Sequence, residues 1–524
     1  MTSAAAQRGA PIEGLAGKTI LSTTPAVGAE RGSPLTKSPF AALAEAFDRE
    51  GVRCCCWKSA RRLPDIFEGR SDLDLLVARA DRQRATEILV ECGFKHAPDA
   101  PGRDDPAIMS FLAYDEASGA ILHAHLHFRL VIGSSLFKNL RVPCESNFLA
   151  RSRLSHTFNL RVLAPADEAL LLLIRAHVEI NTLDPVQLRR RRAIAQKFKN
   201  DFAALAPGLE PEAVRQSASE IFSPELAAEI ARASVSGDPT LRRAEIAARI
   251  RSELSAYRNC NSAESIVRTA ARMAMFLVGA SNRRSFHVPR SWGRRAPGGG
   301  VIIAFVGVDG SGKSTAAAMV RTWLGAEIDV LSAYFGTGDG QASSWLRPFK
   351  ALAPIAGRLV TTKPKGASHG RISDRPPGPA YSLLFAIWAL VVAADKRHKL
   401  ILAQRATRRG FVVVADRYPQ NEILGFNDGP LLHRLRWAPD WLKRFEAAIY
   451  MRAHRAPPDL VIKLHVGRDI VALREPEMSL GLIEERVAGL AELKFPGSRI
   501  VSIDARRPLD EVRRLIKREV WNVL

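Results

Sequence analysis

The chain has 524 residues, of which 47% are hydrophobic and 25% charged. That length exceeds what one core serves, so two or three domains are expected, and the composition excludes a disordered chain. The formal net charge of +22 points to partners that carry phosphate, whether nucleotides, nucleic acid or an anionic surface.

Residues 1–38 are rich in Ala, Gly, Ser, Thr and Pro without periodicity and read as a disordered leader with no signal-peptide core. Regular structure is predicted from "SPFAALAEAFDREG", where Ser38 can cap a helix that Gly51 closes. Strand-like and helical stretches then alternate to about residue 160. The adjacent Cys54, Cys55 and Cys56, with Cys92, Cys144 and Cys260, fit no zinc spacing. They predict free thiols in a reducing, cytoplasmic setting.

"CCCWKSARRLPDIFEGRSDLDLLV" places a small-residue turn at Lys58 and Ser59 ahead of D-x-D on a β-type run. Side chains alternate along a strand, so Asp72 and Asp74 share a face. Two convergent carboxylates suit a metal-bound triphosphate. Over roughly residues 40–180 the chain resembles the nucleotidyltransferase superfamily, in which a Gly-Ser pair precedes two acids one residue apart; Lys58-Ser59 stands in place of that pair. The resemblance implies a third carboxylate from a later strand. The candidate strand "AILHAHLHFRLV" offers instead His123, His125 and His127 on one face. Four readings stay open: active nucleotidyl transfer, transition-metal binding through the imidazoles, a degenerate nucleotide site, or histidines on the solvated face of an edge strand.

From "APADEALLLLIRAHVEI" to about residue 280 the pattern is helical. The basic run "LRRRRAIAQKFK" has no aromatic interleaving for base stacking, so no nucleic-acid site is expected. Residues 281–298 are polar, basic and turn-rich, as an interdomain linker would be. After them strands and helices alternate to the end, the mark of a parallel α/β sheet.

"VIIAFVGV" is apolar throughout, as a strand buried on both faces would be. It runs into G-x-x-x-x-G-K-[ST] from Gly307 to Ser314, and "TAAAMVRTWL" continues from Thr315 as a helix. Gly307, Gly310 and Gly312, with Asp309 and Ser311 between them, let backbone N–H groups turn inward on phosphates at a helix N-terminus. Lys313 is placed to contact the β- and γ-phosphates of ATP, and the Ser314 hydroxyl to ligate Mg2+. A second apolar strand, "GFVVVADRY", ends in Asp416, a carboxylate suited to hold that magnesium through water; Arg417 follows directly. The segment "AYSLLFAIWALVVAADKRHK" has about fifteen uncharged residues before Asp395, short of the ~20 that span a bilayer, so a buried or interfacial helix is expected and no transmembrane segment.

"FVGVDGSGKST", "LLFAIWALVVAADKRHKLILAQRATRRGFVVVADRY" and "PDLVIKLHV" resemble, in order, the motifs of thymidylate kinases. The resemblance covers roughly residues 299–524. It implies a three-layer P-loop fold, ATP and Mg2+, and transfer of the γ-phosphoryl group to a nucleoside monophosphate or related small acceptor. It also implies that Asp309 lies near the acceptor sugar hydroxyl and that Arg417 and Arg397 hold the acceptor. Val306 stands where typical members have a glutamate, "YFGTGDG" replaces T-R-E-P-G, and residues 342–379 form a basic, Pro-rich insert. With no arginine inside the glycine loop, transition-state charge must be met from a lid, where Arg474, Arg486 and Lys494 are candidates and Arg474 is the catalytic choice.

The expected fold is α/β. Residues 39–160 form an α+β nucleotidyltransferase-like domain, 161–280 its helical extension, and 299–524 an α/β/α P-loop domain on a parallel sheet. Two alternatives to nucleotide kinase remain, an NTPase or kinase serving surface polysaccharide assembly and a nucleotide-dependent regulator. A homodimer is among the assemblies this reading leaves open.

Overall fold

A computed structural model of the chain describes residues 38–58, 60–105, 107–133, 136–180, 185–235, 243–285, 292–336, 379–423, 429–435, 437–476 and 478–524. Ser59, the leader 1–37, part of the expected linker and the insert expected at 342–379 (apart from residue 379) lie outside the described residues.

The first half is built on β1 (Cys54–Cys56), β2 (Leu73–Val77), β3 (Lys95–His96), β4 (Ile108–Asp115) and β5 (Ala120–His127). A separate hairpin of β6 (Leu130–Gly133) and β7 (Lys138–Val142) follows, then β8 (Arg153–Ser155) and β9 (Leu160–Val162). Seven of these strands make one mixed sheet in the order β3-β4-β5-β2-β1-β9-β8. The helix Pro39–Arg49 lays Phe40, Leu43 and Phe47 against that sheet beside Leu75, Phe94 and Leu126. Ser38 sits at its N-cap but its hydroxyl makes no capping bond; Pro39 at the first turn, with φ already fixed for a helix, starts it instead.

β5 is an interior strand, antiparallel to β4 on one side and parallel to β2 on the other. His123 and His127 are 2% and 1% exposed, so the solvated edge-strand reading of these histidines is corrected. The reason is long-range pairing, which no local pattern encodes. All six cysteines are free. Burial pushes the Cys54 and Cys56 thiols up to about 12, which makes them packing groups and not nucleophiles.

Among the described residues six α-helices between Pro165 and Ser285 follow the sheet. Pro165–Ile180 is apolar on most sides because it is their centre: Leu170, Leu173 and Ile174 pack with Phe202, Leu226 and Ile250. Arg294 then bridges the halves, antiparallel to Asp99 and parallel to Ile328.

The second half carries β10 (Val301–Gly307), β11 (Val330–Tyr334), β12 (Val412–Asp416), β13 (Leu460–His465) and β14 (Arg499–Asp504). They form an all-parallel sheet in the order β11-β12-β10-β13-β14. Alternation along β10 divides its side chains between two cores. Ile303 and Phe305 meet Val320, Leu324 and Trp521 on one face. Ile302, Ala304 and Val306 meet Leu400, Ala403 and Tyr418 on the other. Helices therefore cover both faces, which is why these strands read as continuous apolar runs. Among the described residues no helix is long and apolar enough to cross a membrane. The apolar run of helix Pro379–Thr407 packs Ala386, Ala389 and Val392 against Leu431, Leu432 and Leu435.

Phe305 is fully buried at the middle of the second sheet. Truncation to alanine is expected to destabilise this half by about 3–5 kcal/mol, read as a lower denaturant midpoint with an unchanged fold by circular dichroism; an unaltered midpoint would contradict the packing described.

Candidate functional site

The site forms at the carboxyl ends of the parallel strands, where β10 lies between β12 and β13. The register sets Phe305 opposite Asp416 and Gly307 opposite Leu464, so β12 ends two residues short of β10, beside the start of the glycine loop. Gly307 meets its neighbours so closely that a Cβ there would stand 2.5 Å from Ser311 Oγ and 2.8 Å from the Leu464 carbonyl oxygen. Gly312 holds a left-handed conformation, φ +90°, as the N-cap of helix Lys313–Gly325. The helix thus begins at the loop, with its first N–H groups facing the strand tips.

Lys313 is 5% exposed and its Nζ donates to the Val308 carbonyl at 2.6 Å, folding back across the loop. Burial, then the Arg417 guanidinium, pull the ammonium down to about 8 against the opposing pull of Asp309. Ser314 Oγ donates to Asp416 Oδ2 at 2.6 Å, joining the loop's helix to the tip of β12. The other oxygen, Asp416 Oδ1, is buried and has no hydrogen-bond partner among the described residues. A hydroxyl beside a carboxylate with one orphaned oxygen is a donor set that fits Mg2+. Ser311 is buried with an unpartnered hydroxyl, while Ser314 and Thr315 are exposed on the first turn.

Asp309 is clasped by cations. Arg417 Nη2 donates to its Oδ1 at 2.7 Å, Arg486 Nη1 donates to Oδ2, and Lys313 Nζ lies 3.6 Å away. Burial works to raise the Asp309 carboxyl, yet Arg417, Lys313 and Arg486 outweigh it and hold it at about 2. Arg417 itself has φ 67°, a left-handed backbone that a residue with a Cβ adopts at a cost of about 1–3 kcal/mol. Its amide donates to the Phe305 carbonyl at 3.0 Å, which ties that turn to β10. Arg474 comes from the last turn of helix Arg468–Arg474 and donates from Nη1 to the Gly310 carbonyl at 2.6 Å. Two of the three lid cations therefore reach the loop; the third, Lys494, engages Glu422 through its backbone amide.

Arg397 is not brought to this cluster. It lines a separate cleft with Gln404, Phe445, Arg452 and Arg455. The helix turns 100° per residue, so Lys396 and Lys399 share the inward face that Arg397 leaves. Lys399 reaches the strand tips, donating to the Tyr334 carbonyl at 2.7 Å while paired with Asp395 at 2.7 Å. The i,i+3 spacing from Lys396 was the only sequence signal for it.

On the first half, Lys58 Nζ donates to Asp74 Oδ1 at 2.6 Å, and His127 Nε2 lies 3.2 Å from the same oxygen. Burial raises the Asp74 carboxyl, but Lys58 and His127 prevail and hold it well below the usual range. Asp74 pairs in register with His125 across β2 and β5. Asp72 Oδ1 lies 3.5 Å from His123 Nδ1 and its Oδ2 lies 3.7 Å from His125 Nε2. Among the described residues no acid from a later strand joins Asp72 and Asp74 as the expected third carboxylate. Glu327, after helix Lys313–Gly325 in the second half, brings Oε2 within 3.3 Å of His123 Nδ1. Some 200 residues of separation hid it from the sequence.

A parallel sheet covered on both faces, with a glycine loop closing its central strand onto a helix N-terminus, defines an α/β protein of P-loop architecture. The chain belongs to the family of the uncharacterized ATP-binding protein YghS of Escherichia coli (strain K12), to which it is 30% identical over 215 residues, 40% of this chain and 88% of the relative. It is also similar to the uncharacterized ATP-binding protein YghR of the same strain, 26% identical over 219 residues, 40% of this chain and 83% of the relative. No protein-family model matches the chain.

Gly307→Ala would drive a methyl into the Leu464 backbone carbonyl. A loss of about 1–3 kcal/mol, seen as a lower thermal midpoint, is expected from that overlap, whereas an equally small change at the exposed Thr315, Thr315→Ser, should stay within about 0.5 kcal/mol.

Proposed function

We propose that the chain binds ATP in the cradle of residues 307–315 and transfers its γ-phosphoryl group to a small phosphorylated acceptor, a nucleoside monophosphate or a close chemical relative. The observation that carries this reading is the 2.6 Å contact of Ser314 with Asp416, which unites the glycine loop and the neighbouring strand tip in one site. The ATP-binding designation of the relatives YghS and YghR supports the donor. We also take residues 39–160, 161–280 and 299–524 as two functional units and a helical extension, with the second unit carrying this activity.

Catalysis of this kind is positioning plus electrostatic stabilisation, with no covalent nucleophile. Lys313, poised on the Val308 carbonyl, turns to the β- and γ-phosphate oxygens and neutralises charge as it develops. Ser314 and Asp416 would hold Mg2+, which screens the donor phosphates when bound. Arg474, on the loop rim at Gly310, meets the transferring group. Arg417 receives the acceptor phosphate; releasing Asp309 as it does so frees that carboxylate to orient the acceptor hydroxyl. Arg397 has no part in this reading, because it faces another cleft.

ADP release from ATP, followed with a panel of nucleoside monophosphates and sugars, tests the assignment. Acceptor-dependent ADP is expected; acceptor-independent ADP would mean an NTPase, and tight binding without turnover a regulator. Lys313→Ala should lower kcat by about 10²-fold or more, and a near-wild-type rate would sink the role given to it.

The Lys313 ammonium also sets a pH dependence. Its pKa in the free protein is lowered to about 8, and only the charged form attracts phosphate. Nucleotide binding stabilises the proton, so apparent affinity should be flat below that pH and fall up to about tenfold per unit above it. Lys313→Arg keeps its charge and should flatten the profile over the same range, as read by titration calorimetry.

A further inference from the structure

The face of the first sheet that carries Asp72 and the three histidines takes no part in the phosphoryl-transfer reading, yet it gathers donors of a definite kind. Asp72, His123 and His125 each offer one ligand atom, all within 4.8 Å of one another; so do Asp74, His125 and His127. The two groups are not equivalent. Asp74 is already neutralised by Lys58 at 2.6 Å and hydrogen-bonded by His127 at 3.2 Å. Among the described residues Asp72 has no such cation, and its separations of 3.5 and 3.7 Å from the two imidazoles are too long for good hydrogen bonds.

Those separations suit something else. Donors about 2.0–2.1 Å from a tetrahedral ion stand about 3.4 Å apart along each edge. Asp72 reaches each imidazole at close to that spacing, through one oxygen apiece, and one donor atom from each of the three residues lies within 4.8 Å of the others. His123 adds an independent pointer. It is 2% exposed, and among the described residues neither ring nitrogen has a well-aligned hydrogen-bond partner. An unsatisfied buried polar atom costs about 1–3 kcal/mol, which coordination would remove. The Asp72 side chain remains 47% exposed, leaving an entry path and an open position. Glu327 Oε2 stands 3.3 Å from His123 Nδ1, the nitrogen that also faces Asp72, and pairs with Arg294 Nη1 at 3.4 Å, so a carboxylate from the other half adjoins the place an ion would take. Arg294 Nη2 lies 3.4 Å from His125 Nε2; coordination there requires the guanidinium to turn toward Asp99, 3.9 Å from its Nε.

We propose that Asp72, His123 and His125 bind one divalent first-row transition-metal ion of the zinc class at the seam between the halves, with Glu327 as an adjoining carboxylate. Two imidazoles and one carboxylate select such an ion over magnesium or calcium, which prefer oxygen-only sets.

The untagged full-length protein, stripped with a chelator and desalted, is titrated with Zn2+, Co2+ and Mg2+ by calorimetry, and Co2+ is also followed by visible absorption. One zinc or cobalt ion per chain is expected, with the strong visible bands of a low-coordinate cobalt centre, and no comparable Mg2+ binding. Asp72→Asn and His123→Ala should each weaken zinc binding at least tenfold, and Glu327→Gln by about tenfold. His156→Ala, outside the cluster, and Lys313→Ala, in the phosphate cradle, should leave it unchanged. No zinc binding overturns the proposal, as does equal affinity in Asp72→Asn. Because Asp72 is half exposed, its variant keeps the fold and decides the question even if His123→Ala does not fold.

Discussion

The parallel pairing of β10 with β12, with Phe305 opposite Asp416, is the constraint on which the rest of the structure depends. It brings the end of one apolar strand level with a loop that starts two residues beyond Phe305 on the next. A shift of one residue would turn Asp416 into the opposite core and leave Ser314 without its partner. Apolar burial on both faces holds the strand in place, with Ile303 and Phe305 in one layer and Val306 in the other. The site is thus a by-product of core packing. Its electrostatics follow: Lys313, Arg417, Arg474 and Arg486 converge on the loop against the carboxylates of Asp309 and Asp416. Cations in excess at a helix N-terminus describe a place for a polyanion.

Much of this was legible in the sequence because it is local. Glycine spacing, an apolar run before it and a helix after it all lie within 25 residues, from Val301 to Gly325, and each follows from backbone geometry. The acid closing "VVVAD" was legible for the same reason, since side-chain alternation places it at a strand tip. What was hidden is what tertiary packing decides. Which cation of "DKRHK" faces inward depends on the phase of a 29-residue helix against the sheet, and Lys399 rather than Arg397 won. The three histidines look the same on an edge strand as on an interior one; only pairing with β2 and β4 buries them. Glu327 belongs to the other half altogether.

The halves are joined through particular residues. Arg294 pairs by backbone with Asp99 and Ile328 and by side chain with Glu327, while Lys95 donates to the Trp521 carbonyl and Lys517 to that of Gly119. Ala97, Leu112 and Ile121 of the first half share a core with Ile328, Ile516 and Trp521. The helix that opens with Lys313 ends at Gly325, two residues before Glu327. One rigid element of about 20 Å therefore has the phosphate loop at one end and the imidazole cluster at the other.

Titration calorimetry of the full-length chain with ATP, in magnesium and in chelator, tests the central claim most directly. One site is predicted, tight in magnesium and weaker without it, with Asp416→Asn losing that difference while still binding. A flat isotherm, or a magnesium effect that survives Asp416→Asn, would contradict the account.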